Sequence, residues 1–446
     1  MGSGRNGKAG EGVPGNDGAV TPEAPNVPAI NFRITPDLKL GQGGEVEKFD
    51  DNMDAIETLK EIEREERRAT PEEQAILARY VGWGGLANAF ASPDTGEFKK
   101  GWEERGRELA ELLTKDELDA ARSSTQNAHY TAEEVVSAMW GAARHLGFKG
   151  GLAGETSSGS GNFIGLIPDD MAAQTRFVAV EKDSLTARIA KALYPQETVL
   201  HSGFQYVPLP DDEFDLQIGN PPFGDVSLRF SNKPELNGAS IHNQFFRAAL
   251  DSVKPGGLQI MVVSRYLMDA QDTTSRRELA KKAKLLGAIR LPQTAFKENA
   301  RTDVVTDILF LQKLTESESE AATKAIDASA QSPAKDRQKE IERRNLASGA
   351  PKWIDVVEVR DPLGGPLMKV NSYFKSYPDM VMGTMERSGS QNVYGEKDAA
   401  GNKIKDITVK LPAGVKMADM LKEAIAKLPQ NVMRQEPDAI KRSIER

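Results

Sequence analysis

Apolar residues at Met53, Ala55, Ile56, Leu59 and Ile62 recur at spacings of three and four, the repeat of one helix face. The chain keeps this character from Phe49 to about Ala121. Thr70-Pro71-Glu72-Glu73 opens a helix with proline at its first position, and Tyr80-Val81-Gly82-Trp83-Gly84-Gly85-Leu86 breaks it with glycines. Residues 46–125 are therefore expected to form a helical N-terminal subdomain, with Trp83 and, further on, Trp140 as core anchors. Beyond Phe148 the pattern changes. Short apolar runs at 176–181, 198–201, 214–219, 258–264, 285–291 and 305–313 alternate with helical stretches at 184–193, 243–253 and 275–283. Such alternation predicts an α/β domain over residues 126–313, with a mostly parallel sheet covered by helices on both faces. Ligands on such sheets sit at the carboxyl ends of the strands.

The flanking segments lack this order. Residues 1–45 are rich in Gly, Pro and Asn and have little to bury, the composition of a disordered tail. Residues 314–350 form a charged linker, with helical character expected over 336–345. Residues 351–446 mix short strands and turns and become helical from Met417; this region is the candidate for target recognition.

Composition narrows the chemistry. The 446-residue chain contains no cysteine, which removes disulfides, thiolate metal sites and cysteine nucleophiles. Methylation of cytosine at ring carbon 5 proceeds through a covalent cysteine adduct, so that reaction is excluded. The four histidines (His129, His145, His201, His242) show no paired ligand spacing, and no metal is expected. No run of eighteen apolar residues is present, so no membrane partner is expected, and the N-terminus shows no apolar signal region. A net charge of −8 argues against affinity for nucleic acid through phosphate neutralisation alone. Residues 271–300, however, hold seven basic residues against three acids, and the stretch from Arg276 to Arg290 is a candidate for phosphate contact.

The most specific motif is Asn220-Pro221-Pro222-Phe223, on the loop leaving the hydrophobic run 214–219. The lone pair of an aromatic amine is delocalised into its ring, so the nitrogen is a poor nucleophile. Two acceptors aimed at its hydrogens favour a tetrahedral nitrogen and build electron density where a methyl group must arrive. The Asn220 side-chain oxygen and the Pro221 carbonyl can supply them, the prolines hold the loop stiff, and Phe223 offers a face for a flipped-out base. A second motif, Glu155-Thr156-Ser157-Ser158-Gly159-Ser160-Gly161-Asn162-Phe163, opens the α/β region. Gly159 and Gly161 let the backbone approach a ligand closely. Glu181 ends the next strand, 20 residues beyond Gly161, where an acid commonly holds ribose hydroxyls. Ile164 replaces the third glycine of GxGxxG, so no pyrophosphate cradle is specified, and a nucleoside cofactor without phosphates fits better.

Tyr130-Thr131, the Gly159–Phe163 loop, Glu181 and Asn220 to Phe223 occur in the order seen in gamma-class DNA N6-adenine methyltransferases. More closely, the chain resembles the methyltransferase segment of large phage and plasmid methylase–helicase proteins, including antirestriction proteins of the DarB type. Residues 80–86, Gly203-Phe204, 219–225, Leu291-Pro292 with Phe296, and Val370-Asn371-Ser372-Tyr373-Phe374 carry that likeness, which covers roughly residues 48–440. It implies a Rossmann-like fold, S-adenosylmethionine as cofactor, DNA as partner and transfer of methyl to adenine N6 with base flipping. A phage virion or helicase partner and the bacterial host cytoplasm are implied by likeness alone. By the same resemblance Tyr130 and Thr131 contact the methionine end of the cofactor, and Glu155, Gly159 and Gly161 line its pocket. Glu181 then holds the ribose and Phe204 packs against the cofactor adenine. No Walker-type GxxxxGK[ST] occurs, so no helicase portion is expected within this chain. Three positions depart from the family pattern. Leu152-Ala153-Gly154-Glu155-Thr156 stands where a hydrophobic strand usually leads into Glu-Pro, Ala132 where proline is common, and Gly203 where many relatives carry an acid. Gly154 and Thr156 are expected to weaken the strand and loosen its loop. Two other readings stay open at this level: an RNA or protein-glutamine methyltransferase, and a catalytically weak or inactive module that binds DNA or a virion partner.

Overall fold

The computed structural model describes residues 27–125, 131–224, 226–296, 305–330, 350–391, 401–433, 435 and 440. Among the described residues the first α-helices are α1 (Glu45–Arg64), α2 (Pro71–Leu77), α3 (Glu103–Leu112) and α4 (Lys115–Ser124). In α1 the threefold and fourfold spacing buries Phe49, Ala55, Ile56, Leu59 and Ile62. Phe49 meets Trp83 and Trp102 edge-on at 6.2 and 5.7 Å. Thr70 and Glu73 cap α2 reciprocally, each side chain accepting from the other's backbone N–H. Thr114 and Glu117 repeat the device at α4.

Helix α5 (Glu133–Leu146) then leads into β1 (Gly151–Glu155), α6 (Asn162–Gly165), α7 (Asp169–Ala172), β2 (Thr175–Glu181), α8 (Ser184–Leu193), β3 (Thr198–His201) and β4 (Phe214–Gly219). After α9 (Ile241–Ser252) come β5 (Val253–Ser264), α10 (Arg265–Asp269), α11 (Thr274–Lys282), β6 (Ala283–Arg290), β7 (Thr306–Lys313) and α12 (Glu316–Ala330). The seven strands form one sheet in the order β3-β2-β1-β4-β5-β7-β6. Neighbours from β3 to β5 pair in parallel, whereas β7 runs antiparallel to both β5 and β6. This is a Rossmann-like α/β arrangement, as the alternating pattern predicts. The strand order reverses between β1 and β4, which opens a crevice at the carboxyl ends of those strands. Trp140 anchors the β1 side. It is fully buried against Phe177, and its indole N–H donates to the Phe163 carbonyl at 2.9 Å.

Strand β1 forms in spite of Gly154, and the expected weakening is corrected by what lies beside it. Gly154 is in register with Gln217 of β4, and a Cβ at position 154 would fall 2.2 Å from the Gln217 Nε2. The glycine vacates the space that a buried glutamine fills while donating to Ser252 Oγ at 2.9 Å. Sequence pattern shows the missing side chain but not the neighbour that replaces it.

Residues 27–44, expected as part of a disordered tail, lie against α2, α8 and the β1–β2 connection. Phe32 and Ile34 N–H groups donate to the carbonyls of Leu193 and Gly165. The Gln74 amide donates to the carbonyls of Ile30, Ala192 and Leu193. The segment attaches by backbone bonds and by the Asn31 and Arg33 side chains, with Ile34 buried, and hydrophobic periodicity is blind to that mode of attachment. The first part of the expected linker is α12, held to α11 by Arg277, which donates to the Ile326 carbonyl and Ser329 Oγ. The helix expected over 336–345 lies outside the described residues.

The C-terminal region contains β8 (Val356–Val359), β9 (Met368–Asn371), α13 (Ser372–Ser376), β10 (Thr384–Gln391), β11 (Lys405–Lys410) and α14 (Met417–Ala426). It docks on the β5–β7–β6 side through buried charge. Arg290 is fully buried and ion-paired with Asp307 at 2.8 Å and Asp269 at 2.9 Å, while its guanidinium stacks over Phe374 at 4.2 Å. Arg265 joins Asp269 to Asp406 of β11, and the Tyr266 hydroxyl also donates to Asp406. Asn371 donates to the carbonyls of Met268 and Trp353. These contacts take Arg290 out of the expected phosphate-binding patch around Arg276 to Arg290. Arg276 is itself buried, donating to the carbonyls of Ile354, Leu267 and Ala270. A count of charge along the chain cannot tell an arginine that closes a domain interface from one that meets solvent.

Candidate functional site

Every residue of β4 is buried, and its last one, Gly219, delivers the chain to Asn220 at the crevice. Pro221 is buried, while Pro222 and Phe223 are half-buried, Phe223 lying against the main hydrophobic core. The Ser157 hydroxyl, from the loop after β1, donates to the Asn220 main-chain carbonyl at 3.2 Å. The Asn220 side-chain oxygen is buried and has no hydrogen-bond partner. Buried acceptors are nearly always paired, and leaving one unpaired costs about 1–3 kcal/mol. An unpaired acceptor on a stiff proline loop can take a hydrogen bond from a bound donor.

The other predicted residues come to the same place from the neighbouring strands. Glu155 ends β1 and is almost wholly buried, with Oε2 lacking a partner. Burial, reinforced by the nearby Glu181 charge, pushes its carboxyl well above the ordinary range. Gly219 makes room for it, since a Cβ there would come within 3.2 Å of Glu155 Cγ. Glu181 ends β2 and braces the glycine loop. Its Oε2 accepts from the Gly159 N–H at 2.9 Å, and its Oε1 accepts from the Asp183 N–H at 2.7 Å. Burial pushes the Glu181 carboxyl up to about 7, against the lowering effect of those backbone bonds. Gly159 and Gly161 both take the left-handed conformation, with φ of 55° and 88°, where glycine is the residue without strain.

Thr131 is buried at the entry to α5 and shares a cleft with Asn162, which places it beside the glycine loop. Tyr130 lies outside the described residues. Phe204 belongs to an aromatic cluster, 4.9 Å from Phe245 and 6.0 Å from Phe230, in which Val180 precedes Glu181. Sequence reasoning missed Tyr194, which ends α8 with its ring fully buried. A Cβ at Gly161 would meet that ring at 2.4 Å. Its hydroxyl has no partner, and burial together with the Glu155 charge holds it protonated. No spacing signal marks it, because it falls where the helical period of α8 stops.

Glu155, Glu181, the two glycines and Asn220 therefore converge on the reversal point of the sheet. The donor set suits a nucleoside. Two carboxyl groups beside one loop offer acceptors to hydroxyl and ammonium donors, and the orphaned Glu155 oxygen is an acceptor available to such a group.

Comparison with known proteins finds relatives among DNA methylases. Residues 179–361 match the family model for N-6 DNA Methylase. The chain is 27% identical over 266 residues to "Defense against restriction protein B" of Escherichia phage P1, covering 59% of this chain and 10% of that protein. The chain is N6-adenine methyltransferase-like. It spans only a tenth of the length of that phage relative. Among solved structures, this methyltransferase-like chain is similar to a modification subunit of a putative type I restriction enzyme from Vibrio vulnificus, at 19% identity and a TM-score of 0.37 over 47% of this chain and 50% of that one. It is also similar to a type I restriction-modification methyltransferase subunit from Streptococcus thermophilus, at 16% identity and a TM-score of 0.38 over 67% and 75%.

Proposed function

We propose that this chain transfers a methyl group from S-adenosylmethionine to the N6 amino group of adenine in DNA. The observation that carries the reading is the buried, unpartnered side-chain oxygen of Asn220, set at the end of β4 beside Glu155 and Ser157. When bound, S-adenosylmethionine supplies an electrophilic sulfonium methyl. Asn220 Oδ1 and the Pro221 carbonyl accept hydrogen bonds from the two N6–H groups and draw the nitrogen lone pair out of conjugation, and the proton that N6 loses on methylation passes to solvent. Phe223 stacks on the adenine, which leaves the duplex because its amino group is out of reach of this loop within stacked base pairs. The Glu181 carboxylate accepts from the ribose hydroxyls, and Glu155 accepts from a donor on the same ligand. Thr131 and, by resemblance, Tyr130 close the methionine end, and Phe204 borders the cofactor adenine. Target selection falls to the C-terminal region, residues 351–446.

Incubation with methyl-labelled cofactor and separate pools of DNA, RNA and protein tests the reading. Label at adenine N6 in DNA is the expected result. Label confined to RNA or protein overturns it.

A further inference from the structure

We propose that residues 29–34 and Tyr194 form a strap behind the glycine loop, and that this strap sets the affinity for S-adenosylmethionine without touching it. The inference rests on the functional reading above and adds positioning residues to it. The stretch from Gly159 to Gly161 presents backbone to its ligand, and its glycines carry no side chain that could fix it in place. Glu181 braces the Gly159 end through one hydrogen bond. The other end runs into α6, where Gly161 and Gly165 stand one turn apart on the same face. The Tyr194 side chain fills the space those two glycines leave. A Cβ at Gly165 would come 2.5 Å from the Tyr194 hydroxyl and 2.5 Å from Ile34 Cδ1, and one at Gly161 would enter the same ring.

The strap holds Tyr194 and α6 together. On one side the Phe32 N–H donates to the Leu193 carbonyl at 2.8 Å, and the Asn31 amide donates to Glu197 at 2.7 Å. The Asn31 side-chain oxygen accepts from the Gln196 N–H at 3.0 Å, and the Gln196 amide donates to the Ala29 carbonyl at 2.8 Å. These bonds bracket Tyr194 along the chain. On the other side the Ile34 N–H donates to the Gly165 carbonyl at 3.0 Å, and Arg33 donates to Asp169 at 3.0 Å and to the Ile167 carbonyl. Residues 29–34 thus tie the end of α8 to the helix that the glycine loop opens, with the buried Tyr194 and Ile34 side chains packed at the junction. The Tyr194 hydroxyl makes no hydrogen bond, so the ring acts through its volume. Removing that volume leaves a cavity directly behind the loop, and a binding site that loses its preorganised shape loses affinity.

Calorimetric titration of the full chain with S-adenosylmethionine tests the strap. Tyr194→Ala is expected to weaken binding by about tenfold or more, and Ile34→Ala by about threefold or more. Tyr194→Phe keeps the ring and should restore affinity to within about twofold of the unsubstituted chain. Leu279→Ala truncates a side chain likewise buried, in α11. It reports the effect of lost stability alone and should leave affinity within about twofold. Unchanged affinity in both Tyr194→Ala and Ile34→Ala overturns the strap and leaves the functional reading standing. Equal weakening by Tyr194→Phe or by Leu279→Ala has the same consequence. Should Tyr194→Ala fail to fold, Ile34→Ala decides by the same criterion. If the unsubstituted protein binds no S-adenosylmethionine, the functional reading falls and the inference falls with it.

Discussion

Replacing Asn220 with alanine separates a catalytic asparagine from a structural one, because the two roles predict opposite effects on stability. In the free protein Asn220 Oδ1 is buried and makes no hydrogen bond, so the side chain contributes a desolvation penalty of about 1–3 kcal/mol that nothing in the fold offsets. Asn220→Ala removes that penalty and loses only the contacts of a half-buried side chain. Unfolding free energy should therefore stay level or rise by about 1 kcal/mol. In the reaction the same atom is one of two acceptors that localise the amine lone pair. Loss of one preorganised polar group of this type slows chemistry by about 10²–10³-fold, or about 2.7–4 kcal/mol of barrier. Cofactor affinity should change by less than about twofold, since a rate effect of this kind arises in the transition state and not in cofactor binding. Single-turnover methyl transfer to DNA, denaturant unfolding and cofactor titration read the three quantities. Retained activity, or destabilisation beyond about 2 kcal/mol, the size of a lost buried hydrogen bond to a structural partner, refutes the argument.

Other substitutions probe the supports of the site. Gly154→Ala drives its Cβ into the Gln217 amide and should cost about 2–4 kcal/mol through overpacking and loss of the bond to Ser252. The double variant Gly154→Ala/Gln217→Ala should be more stable than the single one in urea unfolding, and failure to recover denies the pairing. Arg290→Leu leaves the fully buried Asp307 without its cation, while Asp269 keeps Arg265, and should lower stability by about 3–5 kcal/mol; a loss below about 1 kcal/mol in the same assay shows that the network is not buried as described. The Glu181 carboxyl sits at about 7, above its unfolded value, so the native state holds a proton that the unfolded chain releases near 4.5. The sign is that this group's contribution to stability falls as pH rises from about 4.5 to 7. Ribose hydroxyls donate to the ionised form, so cofactor affinity should rise with pH through about 7 and flatten above it; an affinity independent of pH between 6 and 8 removes Glu181 from the ribose.

The chain's alternating pattern is enough to specify an α/β sheet, because a strand buried on both faces is predominantly apolar, as the stretch Ile260 to Val263 of β5 is. Local chemistry likewise marks the loops that carry Glu155, Gly159, Glu181 and Asn220, since each follows the end of a strand and strand ends are local events. What the sequence leaves open is which strands become neighbours. Only the assembled sheet places β7 antiparallel between β5 and β6 and sets Gly154 beside Gln217. Burial of Arg276 and Arg290 is decided by the carbonyls and carboxylates that surround them in space, contributed by residues up to 78 positions away. The same holds for residues 27–34 and for Tyr194. Periodicity reports how a segment faces water, whereas hydrogen bonds between distant segments and the shape left beside a glycine exist only once the chain has closed on itself.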